Sequence, residues 1–332
     1  MNTPASMSAL RFDATGTPLA LATVTRPVAG PGDVLVRIVA AGLNPLDGKI
    51  RAGQGGHARQ PAPAILGIDM AGRVDAVGEG VEGFAIGDAV YGMTGGVGGV
   101  QGSLAQYAAV DARLLAHAPT AIPLAETAAL PLAFITAWEG LVDRANLRGG
   151  QSLLVIAGAG GVGSMAVQLG VARGARVFAT GSAVQKDVIT AMGATWVDRD
   201  LPIDQVVDVH TGGDGFDVVY DTLGGATLDA AFVAARRYGG HVVSSLGWGT
   251  HALAPLSFRA ATYSGVFTLM PLLTGKGRAH HGEIMAEATK LAEAGQLKPV
   301  LSSRRFALAD GNAALDLVES GRSAGKVVVE ID

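Results

Sequence analysis

Residues 153–163 constrain the fold of this chain more than any other segment. An apolar run, Leu153–Ala157, leads into Gly158, Gly160 and Gly163, which have the G-x-G-x-x-G spacing. In a strand–turn–helix unit, such glycines permit a tight turn, let the backbone approach a pyrophosphate and let the helix pack on the sheet. The helix N-terminus adds unpaired N–H groups and partial positive charge. The segment therefore predicts a dinucleotide-binding loop, the alternative being a glycine-rich turn of an unrelated α/β fold. The predicted phosphate contacts are Gly158, Gly160, Gly161, Val162 and Gly163.

The same region is also a candidate membrane span, because no residue from Gly149 to Ala172 is charged and that length can cross a bilayer. The glycines interrupt it, which favours a buried strand, a loop and a helix. The first ten residues lack the basic stretch and apolar run of a secretory signal. We therefore expect a cytoplasmic protein with no membrane partner. A net charge of -4 gives no support for nucleic-acid binding.

The chain of 332 residues divides into three stretches. Residues 1–131 contain short apolar runs between glycine turns and predict a β-rich, partly open barrel. Residues 132–272 alternate predicted strands, the last of them over roughly residues 262–269, with helical segments such as residues 183–192. This alternation indicates a doubly wound parallel sheet, the Rossmann arrangement. Residues 273–332 start with a predicted helix and end in a strand that we expect to rejoin the first stretch. The fold class is thus α/β, with a β-rich domain (1–131 and 273–332) and a dinucleotide-binding domain (132–272).

The end of the second predicted strand of the dinucleotide-binding domain decides between NAD and NADP. NAD-binding folds place Asp or Glu there to accept from the ribose hydroxyl. Here the sequence is Thr180-Gly181-Ser182, and no acidic residue occurs from Arg144 through Lys186. A 2′-phosphate could accept a hydrogen bond from Ser182 and be neutralised by Lys186. We therefore predict NADPH, with Arg199 as a further candidate for the phosphate and a solvated Lys186 as the alternative.

The ends of two later strands are expected to contact the cofactor as well. Ligands of open α/β sheets bind outside the carboxyl ends of the strands, at the point where the strand order reverses. Leu223 follows one predicted strand, and Leu246-Gly247 close another. We predict cofactor contacts at these residues, the alternative being that the glycines beside them only form turns.

Several motifs together resemble the zinc-independent quinone oxidoreductases, the zeta-crystallin-like branch of the medium-chain dehydrogenases/reductases. The resemblance covers nearly the whole chain, and the order of the motifs makes it specific. It implies that the β-rich domain is GroES-like and that the protein is a homodimer, joined at sheet edges near residues 262–270. The motifs that carry the resemblance are AAGLNPLD (40–47), ILGIDMAG (65–72), GDAVYG (87–92), AALP (128–131) with Thr136-Ala137, the loop 158–163, DVVYD (217–221) and AGKVV (324–328).

The chain differs from the alcohol dehydrogenases of the same superfamily at the positions of their zinc ligands. The resemblance puts Asn44 near the position of their cysteine ligand and Ile68 at the position of their histidine ligand. The chain has no cysteine at all, which also excludes a four-cysteine structural site. The seven histidines show no ligand spacing. We therefore predict no metal.

The resemblance also supplies catalytic candidates near the nicotinamide. Asn44 could donate a hydrogen bond to the substrate oxygen or simply form a turn before Pro45. Lys49 either lines the cleft or is solvated, and Tyr91 either donates a proton or packs. Thr136 either contacts the nicotinamide ribose or amide, or is an ordinary residue near a helix start.

Without a metal, hydrogen-bond donors must stabilise the negative charge that develops on the substrate oxygen. This favours acceptors that spread charge through a conjugated system. The prediction is an NADPH-dependent oxidoreductase that transfers hydride to a quinone or an α,β-unsaturated carbonyl. The alternatives are a zinc-free enoyl thioester reductase and a cofactor-binding protein with a structural or regulatory role.

Overall fold

The computed structural model of the protein describes residues 5–331. The chain divides into two compact units, with boundaries between Leu132 and Ala133 and between Thr268 and Leu269. The sequence placed these boundaries at 131/132 and 272/273. The second boundary comes earlier because the last strand of the second unit ends at Gly265 and does not reach the predicted Leu269.

The strands of the first unit pair antiparallel, except for a short parallel pair near the C-terminus. The strands are β1 (Ser6–Phe12), β2 (Ala20–Thr25), β3 (Asp33–Gly42), β4 (Ala64–Ile65), β5 (Asp69–Val77), β6 (Ala89–Met93), β7 (Tyr107–Asp111), β8 (Leu115–His117), β15 (Phe306–Ala307) and β16 (Val328–Glu330). One sheet has the order β2-β1-β4, and a larger one has the order β15-β16-β3-β5-β6-β8, with β7 pairing with β3.

The C-terminal segment completes this unit, as expected from the sequence. Strand β16 pairs antiparallel with β3, where Val329 lies opposite Ala41. The long strand β3 follows a Pro-Gly turn and contains an apolar run. Its side chains are mostly buried, and other strands pair with it along both edges. The helices of this unit are α1 (Pro45–Arg51), α2 (Leu124–Thr127), α9 (Met270–Thr274), α10 (Arg278–Glu293) and α11 (Gly311–Glu319), and α3 (Pro131–Trp138) starts just before the boundary.

The second unit is the predicted doubly wound sheet. Its six strands pair in parallel in the order β11-β10-β9-β12-β13-β14, so the strand order reverses between β9 and β12. The strands are β9 (Ser152–Val155), β10 (Arg176–Gly181), β11 (Thr195–Asp198), β12 (Val218–Asp221), β13 (His241–Ser244) and β14 (Thr262–Gly265). The two central strands, β9 and β12, are buried along their whole length, which explains their continuous apolar sequence.

Helices connect these strands. The segment predicted as one helix over residues 183–192 is a 3₁₀ turn, Ala183–Gln185, followed by a short α-helix. A π-helix, Glu139–Arg144, continues α3. The remaining helices are α4 (Gly161–Ala172), α5 (Lys186–Ala191), α6 (Ile203–Thr211), α7 (Ala226–Ala234) and α8 (Ala254–Ser257).

The charge-free stretch from Gly149 to Ala172 is therefore strand β9, a glycine loop and helix α4. Across residues 5–331, none of the helices combines the length and apolar character that crossing a bilayer requires.

Candidate active site

The glycine loop connects strand β9 to helix α4, as the sequence predicts. Gly160 is the N-cap of the helix with an extended backbone, and its N–H donates to the carbonyl of Ala157 over 3.0 Å. Gly160 and Gly161 are exposed, and Val162 is half-buried. Because the first turn of a helix leaves backbone N–H groups without helical acceptors, this end of α4 can bind an anion.

The structure corrects the roles expected for two of the glycines. The left-handed residue of the turn is Ala157, with φ 62°, and Gly158 has no positive φ. Gly158 is required instead by a close approach, because a Cβ there would lie 2.5 Å from the Cβ of Ala179 on β10. A Cβ at Gly163 would overlap the carbonyl oxygen of Ala157, so this glycine fits the helix against its own loop. At Gly160 a Cβ would meet just one atom within 4 Å, the same carbonyl at 3.2 Å, so its outer side is open.

Thr180 ties the loop to the neighbouring strand. Its hydroxyl accepts from the N–H of Ala157 over 2.9 Å, and its carbonyl accepts from the N–H of Gly158 over 2.9 Å. These bonds satisfy the backbone at the turn and hold Ala157 in its strained conformation. No local sequence pattern predicts this role of Thr180, because Ala157 and Thr180 are 23 positions apart.

A cavity of about 460 Å³ lies beside the loop, at the carboxyl ends of β10 and β11. This is where an open α/β sheet binds a nucleotide. Three predicted cofactor residues, Gly160, Arg199 and Leu223, line it. The full lining is Ile156, Ala157, Gly160, Thr180, Gly181, Gln185, Asp198, Arg199, Asp200, Leu201, Ile203, Val206, Leu223, Thr227 and Ala230.

Two other predicted phosphate contacts point elsewhere. The hydroxyl of Ser182 donates to the side-chain oxygen of Gln185 over 3.2 Å, and the ammonium of Lys186 lies 5.4 Å from the ring centre of Trp196. Neither residue lines the cavity, whereas Arg199 does, with a side chain that is 62% exposed. Of the three candidates, Arg199 has the best position for a phosphate in the cavity.

Two acidic residues line the cavity, at the end of β11 and in the turn that follows it. Asp198 ends β11, and its carboxylate accepts from the N–H of Asp200. The carboxylate of Asp200 lies 3.8 Å from the guanidinium of Arg199. Acidic residues are absent from Arg144 through Lys186, but Asp198 and Asp200, from the neighbouring strand β11 and the turn after it, line the cavity together with Arg199.

Asp221 organises the carboxyl ends of β12 and β13. Its fully buried carboxylate accepts from the N–H of Gly224 over 2.9 Å, from the hydroxyl of Thr227 over 2.7 Å and from the hydroxyl of Ser244 over 2.7 Å. These bonds fix the loop that carries Leu223. The predicted contacts Leu246 and Gly247 follow β13 and do not line the cavity, so they stay predictions.

Thr136 lies in α3 and is buried. Its carbonyl oxygen accepts a hydrogen bond from the hydroxyl of Tyr220 over 2.6 Å. Tyr220 belongs to the fully buried strand β12, next to the strand that leads into the glycine loop. No local sequence pattern indicates this pairing, because 84 positions separate the two residues.

In the first unit, Asn44 lies at the centre of a buried polar network. Its amide nitrogen donates to the carboxylate of Asp69 over 2.9 Å, and its amide oxygen accepts from the ammonium of Lys326 over 2.5 Å. The second amide hydrogen faces the carbonyl of Gly42 at 3.5 Å. With both ends of the amide occupied, Asn44 is not the direct substrate donor that the sequence suggested. It holds Asp69 and Lys326 in place.

Two buried carboxyl groups and one buried ammonium make up the charged part of this network. Burial raises the pKa of Asp47 to about 7, although the N–H groups of Asn44 and Gly67 donate to its carboxylate. Burial also raises the pKa of Asp69 and lowers the pKa of Lys326, while their mutual attraction opposes both shifts. The N–H of Leu132 donates to the other oxygen of Asp69 over 2.8 Å. The network thus links the loop before α1, strand β5 and the start of α3.

Known proteins resemble the chain along nearly its whole length. The family profile described as alcohol dehydrogenase GroES-like domain matches residues 30–120, and that described as zinc-binding dehydrogenase matches residues 192–329. A 2-methylene-furan-3-one reductase of Solanum lycopersicum is 37% identical over 89% of this chain and 71% of its own length. The chain belongs to the medium-chain dehydrogenases/reductases. Within that superfamily it falls in the zinc-independent quinone and enone oxidoreductase branch.

Two further relatives agree with this assignment. An NADPH-dependent alkenal/one oxidoreductase of Arabidopsis thaliana, a chloroplast protein, is 36% identical over 89% of this chain and 71% of its own length. A crystal structure of an alcohol dehydrogenase superfamily protein from Novosphingobium aromaticivorans has a TM-score of 0.97 and 52% identity, and covers 98% of this chain and 100% of that one. The fold of this medium-chain oxidoreductase is therefore the GroES-like and Rossmann combination that the sequence predicts.

The donor set of this medium-chain oxidoreductase does not suit zinc at the position the alcohol dehydrogenases use. The amide of Asn44 is bonded to Asp69 and Lys326, and Ile68 is fully buried and aliphatic. An ammonium next to the site would also repel a cation. Among residues 5–331, no cluster of three or more histidine, cysteine, aspartate or glutamate side chains is arranged to hold a metal ion.

Two further catalytic candidates lie in the GroES-like unit. The hydroxyl of Tyr91 donates to the carbonyl of Met285 over 2.8 Å and lies 2.9 Å from the hydroxyl of Thr289. The ring is fully buried, and burial raises the pKa of Tyr91 far above its ordinary value. These contacts contradict its role as a proton donor and support the packing alternative. Lys49 is half-buried in α1. Burial lowers the pKa of His57, and the nearby ammonium of Lys49 lowers it further, so the cleft role of Lys49 stays a prediction.

Proposed function

We propose that this chain is an NADPH-dependent reductase of α,β-unsaturated carbonyl compounds and quinones that works without zinc. The observation that carries this proposal is the glycine loop at the N-terminus of α4, together with the enone and alkenal reductases to which the chain is similar. In the reaction, the carbon–carbon double bond of an enone becomes a single bond. The β carbon gains a hydride, and the α carbon gains a proton from solvent.

The residues of the Rossmann unit fit such a cofactor. The open side of Gly160 leaves room for a pyrophosphate, and Gly158 and Gly163 are confined by contacts that a larger side chain would break. We assign the adenosine half to the cavity beside the loop and the 2′-phosphate to Arg199. The nicotinamide half is assigned to Thr136, Leu246 and Gly247. When bound, NADPH would supply the hydride.

The GroES-like unit contributes a fixed polar network. Asp69 binds the side chain of Asn44 and the N–H of Leu132, and Lys326 binds the carbonyl of Leu43 over 3.0 Å. These bonds hold the loop before α1 in one conformation. We assign Lys49, which follows on α1, to the substrate cleft. A rigid loop there excludes water and orients an acceptor, as hydride transfer requires.

The test is oxidation of NADPH by the purified full chain, followed by absorbance, with a small enone, a quinone and a saturated ketone as acceptors. The proposal expects turnover with the enone and the quinone, a much lower rate with NADH, and no loss of activity on treatment with a chelator. Turnover of the saturated ketone alone, or activity that a chelator abolishes and zinc restores, would contradict it.

A further inference from the structure

The phenol of Tyr220, a residue of the central strand β12, connects that strand to helix α3. The side chain is fully buried, and its hydroxyl donates to a backbone carbonyl, that of Thr136, over 2.6 Å. In a regular α-helix, that carbonyl accepts from the N–H four residues later. Because a carbonyl oxygen has two lone pairs, the bond from Tyr220 adds to any helical bond that this carbonyl accepts.

The helix is adapted to receive this ring. The segment after α3 is a π-helix, Glu139–Arg144, whose wider turns are rare and occur frequently at functional sites. Gly140 lies within it, and a Cβ at this position would be 2.8 Å from the Cζ atom of Tyr220. The glycine and the π-helix together leave the space that the phenol occupies. A buried tyrosine usually finds such a partner for its hydroxyl.

The backbone of Tyr220 makes a second connection. Its carbonyl accepts from the N–H of Ile156 over 2.9 Å, and Ile156 directly precedes the left-handed turn at Ala157. One residue thus binds both the start of the phosphate loop and the carbonyl of Thr136. Both bonds lie inside the Rossmann unit, and both are buried.

We propose that Tyr220 is a positioning residue that fixes the distance between the phosphate loop and Thr136. The inference rests on the proposed function, in which NADPH extends from that loop to Thr136. A cofactor held at its pyrophosphate by the loop needs its nicotinamide half at a set distance, because a displacement of about 1 Å can reduce hydride transfer by about 100-fold. The hydroxyl keeps its proton throughout the accessible pH range, since burial raises the pKa of Tyr220 far above its ordinary value.

The test compares Tyr220→Phe, which removes a single oxygen, with Tyr238→Phe, which removes the hydroxyl of an exposed tyrosine. Hydrogen exchange of the cofactor-free full chain gives a readout that does not depend on activity. The proposal expects faster amide exchange in the peptide covering residues 131–144 of Tyr220→Phe and unchanged exchange in α4. Tyr238→Phe is expected to match the wild type throughout.

Ligand binding then separates positioning from general damage. Adenosine 2′,5′-bisphosphate has no nicotinamide, so Tyr220→Phe should bind it as tightly as the wild type. The same variant should bind NADPH more weakly and reduce an enone with kcat lowered about 10-fold. Gly140→Ala, which pushes on the ring and keeps its hydroxyl, should show the same pattern if it folds.

Three results would decide against the proposal or against its premise. Unchanged NADPH affinity and kcat in a folded Tyr220→Phe protein would overturn the positioning role. An equal loss of affinity for both ligands would also overturn it, because the loop itself would then be damaged. If the wild type binds the bisphosphate and NADPH but reduces no enone or quinone, the proposed function is wrong. In that case, a selective loss of NADPH binding in Tyr220→Phe would still support the positioning role.

Discussion

The ammonium of Lys326 donates a hydrogen bond to the amide oxygen of Asn44 over 2.5 Å, although 282 positions separate the two residues in the chain. Lys326 lies next to the last strand, and Asn44 caps the first helix. Their bond, together with the one from Asn44 to Asp69, brings three segments of the GroES-like unit to one point. In the zinc-containing alcohol dehydrogenases, from which the sequence departs, a cysteine ligand is expected near the position of Asn44.

Replacing Lys326 alone should lower the free energy of unfolding more than replacing Lys326 and Asp69 together. Lys326→Met leaves the carboxylate of Asp69 buried without its cation, and breaking a buried pair in this way costs about 3–5 kcal/mol. Adding Asp69→Asn removes the unpaired charge, so the double variant should lose less free energy of unfolding than the sum of the single variants. Urea unfolding of the four proteins measures this coupling. Strict additivity would show that the two side chains do not interact.

The pH dependence of stability should reveal Asp47. Burial raises its pKa to about 7 in the folded protein, whereas the unfolded chain releases this proton near pH 4. The folded state therefore holds the proton more tightly, and the stability this provides is fully present below about pH 4 and lost as the pH rises to about 7. The expected loss is a few kcal/mol, spread over that range.

Asp47→Asn removes the titration and keeps an acceptor for one of the two backbone N–H groups. Its free energy of unfolding should fall less steeply than that of the wild type between about pH 5 and pH 7. The slope is the readout, since the substitution also shifts stability by a constant amount. Parallel curves for the two proteins would show that Asp47 is ionised throughout.

Two glycines of the phosphate loop form a matched pair for testing the cofactor site. Gly160→Val should fold with a small loss of stability, because φ is -72° there and the carbonyl oxygen of Ala157, 3.2 Å from the new Cβ, has to shift only slightly. Its side chain should block the pyrophosphate and abolish NADPH binding. Gly163→Ala should instead lower the melting temperature, since its Cβ would overlap the carbonyl of Ala157. Normal NADPH affinity in folded Gly160→Val protein would remove the loop from the cofactor site.

Arg199 and Lys186 can be compared in the same way. Arg199→Ala should weaken NADPH binding about 10-fold and leave NADH binding almost unchanged, because one charge-assisted bond to the 2′-phosphate is lost from an exposed position. Lys186→Ala, which removes a cation outside the cavity lining, should have a smaller effect. Fluorescence titration with both cofactors measures these affinities. A similar loss for NADH would mean that Arg199 does not read the phosphate.

The fold could be predicted to a large extent because its signals are local. The apolar run before Gly158 and the glycine spacing after it specify a strand, a turn and a helix within about a dozen residues. The regular alternation of strands and helices then specifies a parallel sheet. Element ends were less predictable. The helix expected over residues 183–192 begins as a 3₁₀ turn, because Gln185 folds back to accept from the N–H of Ser182.

The site was less predictable because its decisive contacts join distant residues. Asn44 meets Asp69 and Lys326, and Thr136 meets Tyr220, 84 positions away. No periodicity or local motif marks such pairs. Resemblance located Asn44 and Tyr91 correctly in the GroES-like unit but could not show that their polar atoms already have buried partners.

Isotope labelling of the hydride tests whether this chain reduces the carbon–carbon double bond of an enone with NADPH. The full chain is incubated with an enone and NADPH that carries deuterium at the transferable C4 position, and the product is examined by NMR. We expect a saturated carbonyl compound with deuterium on the β carbon and a solvent-derived hydrogen on the α carbon. An allylic alcohol with deuterium on the former carbonyl carbon, or a product without deuterium, would contradict it.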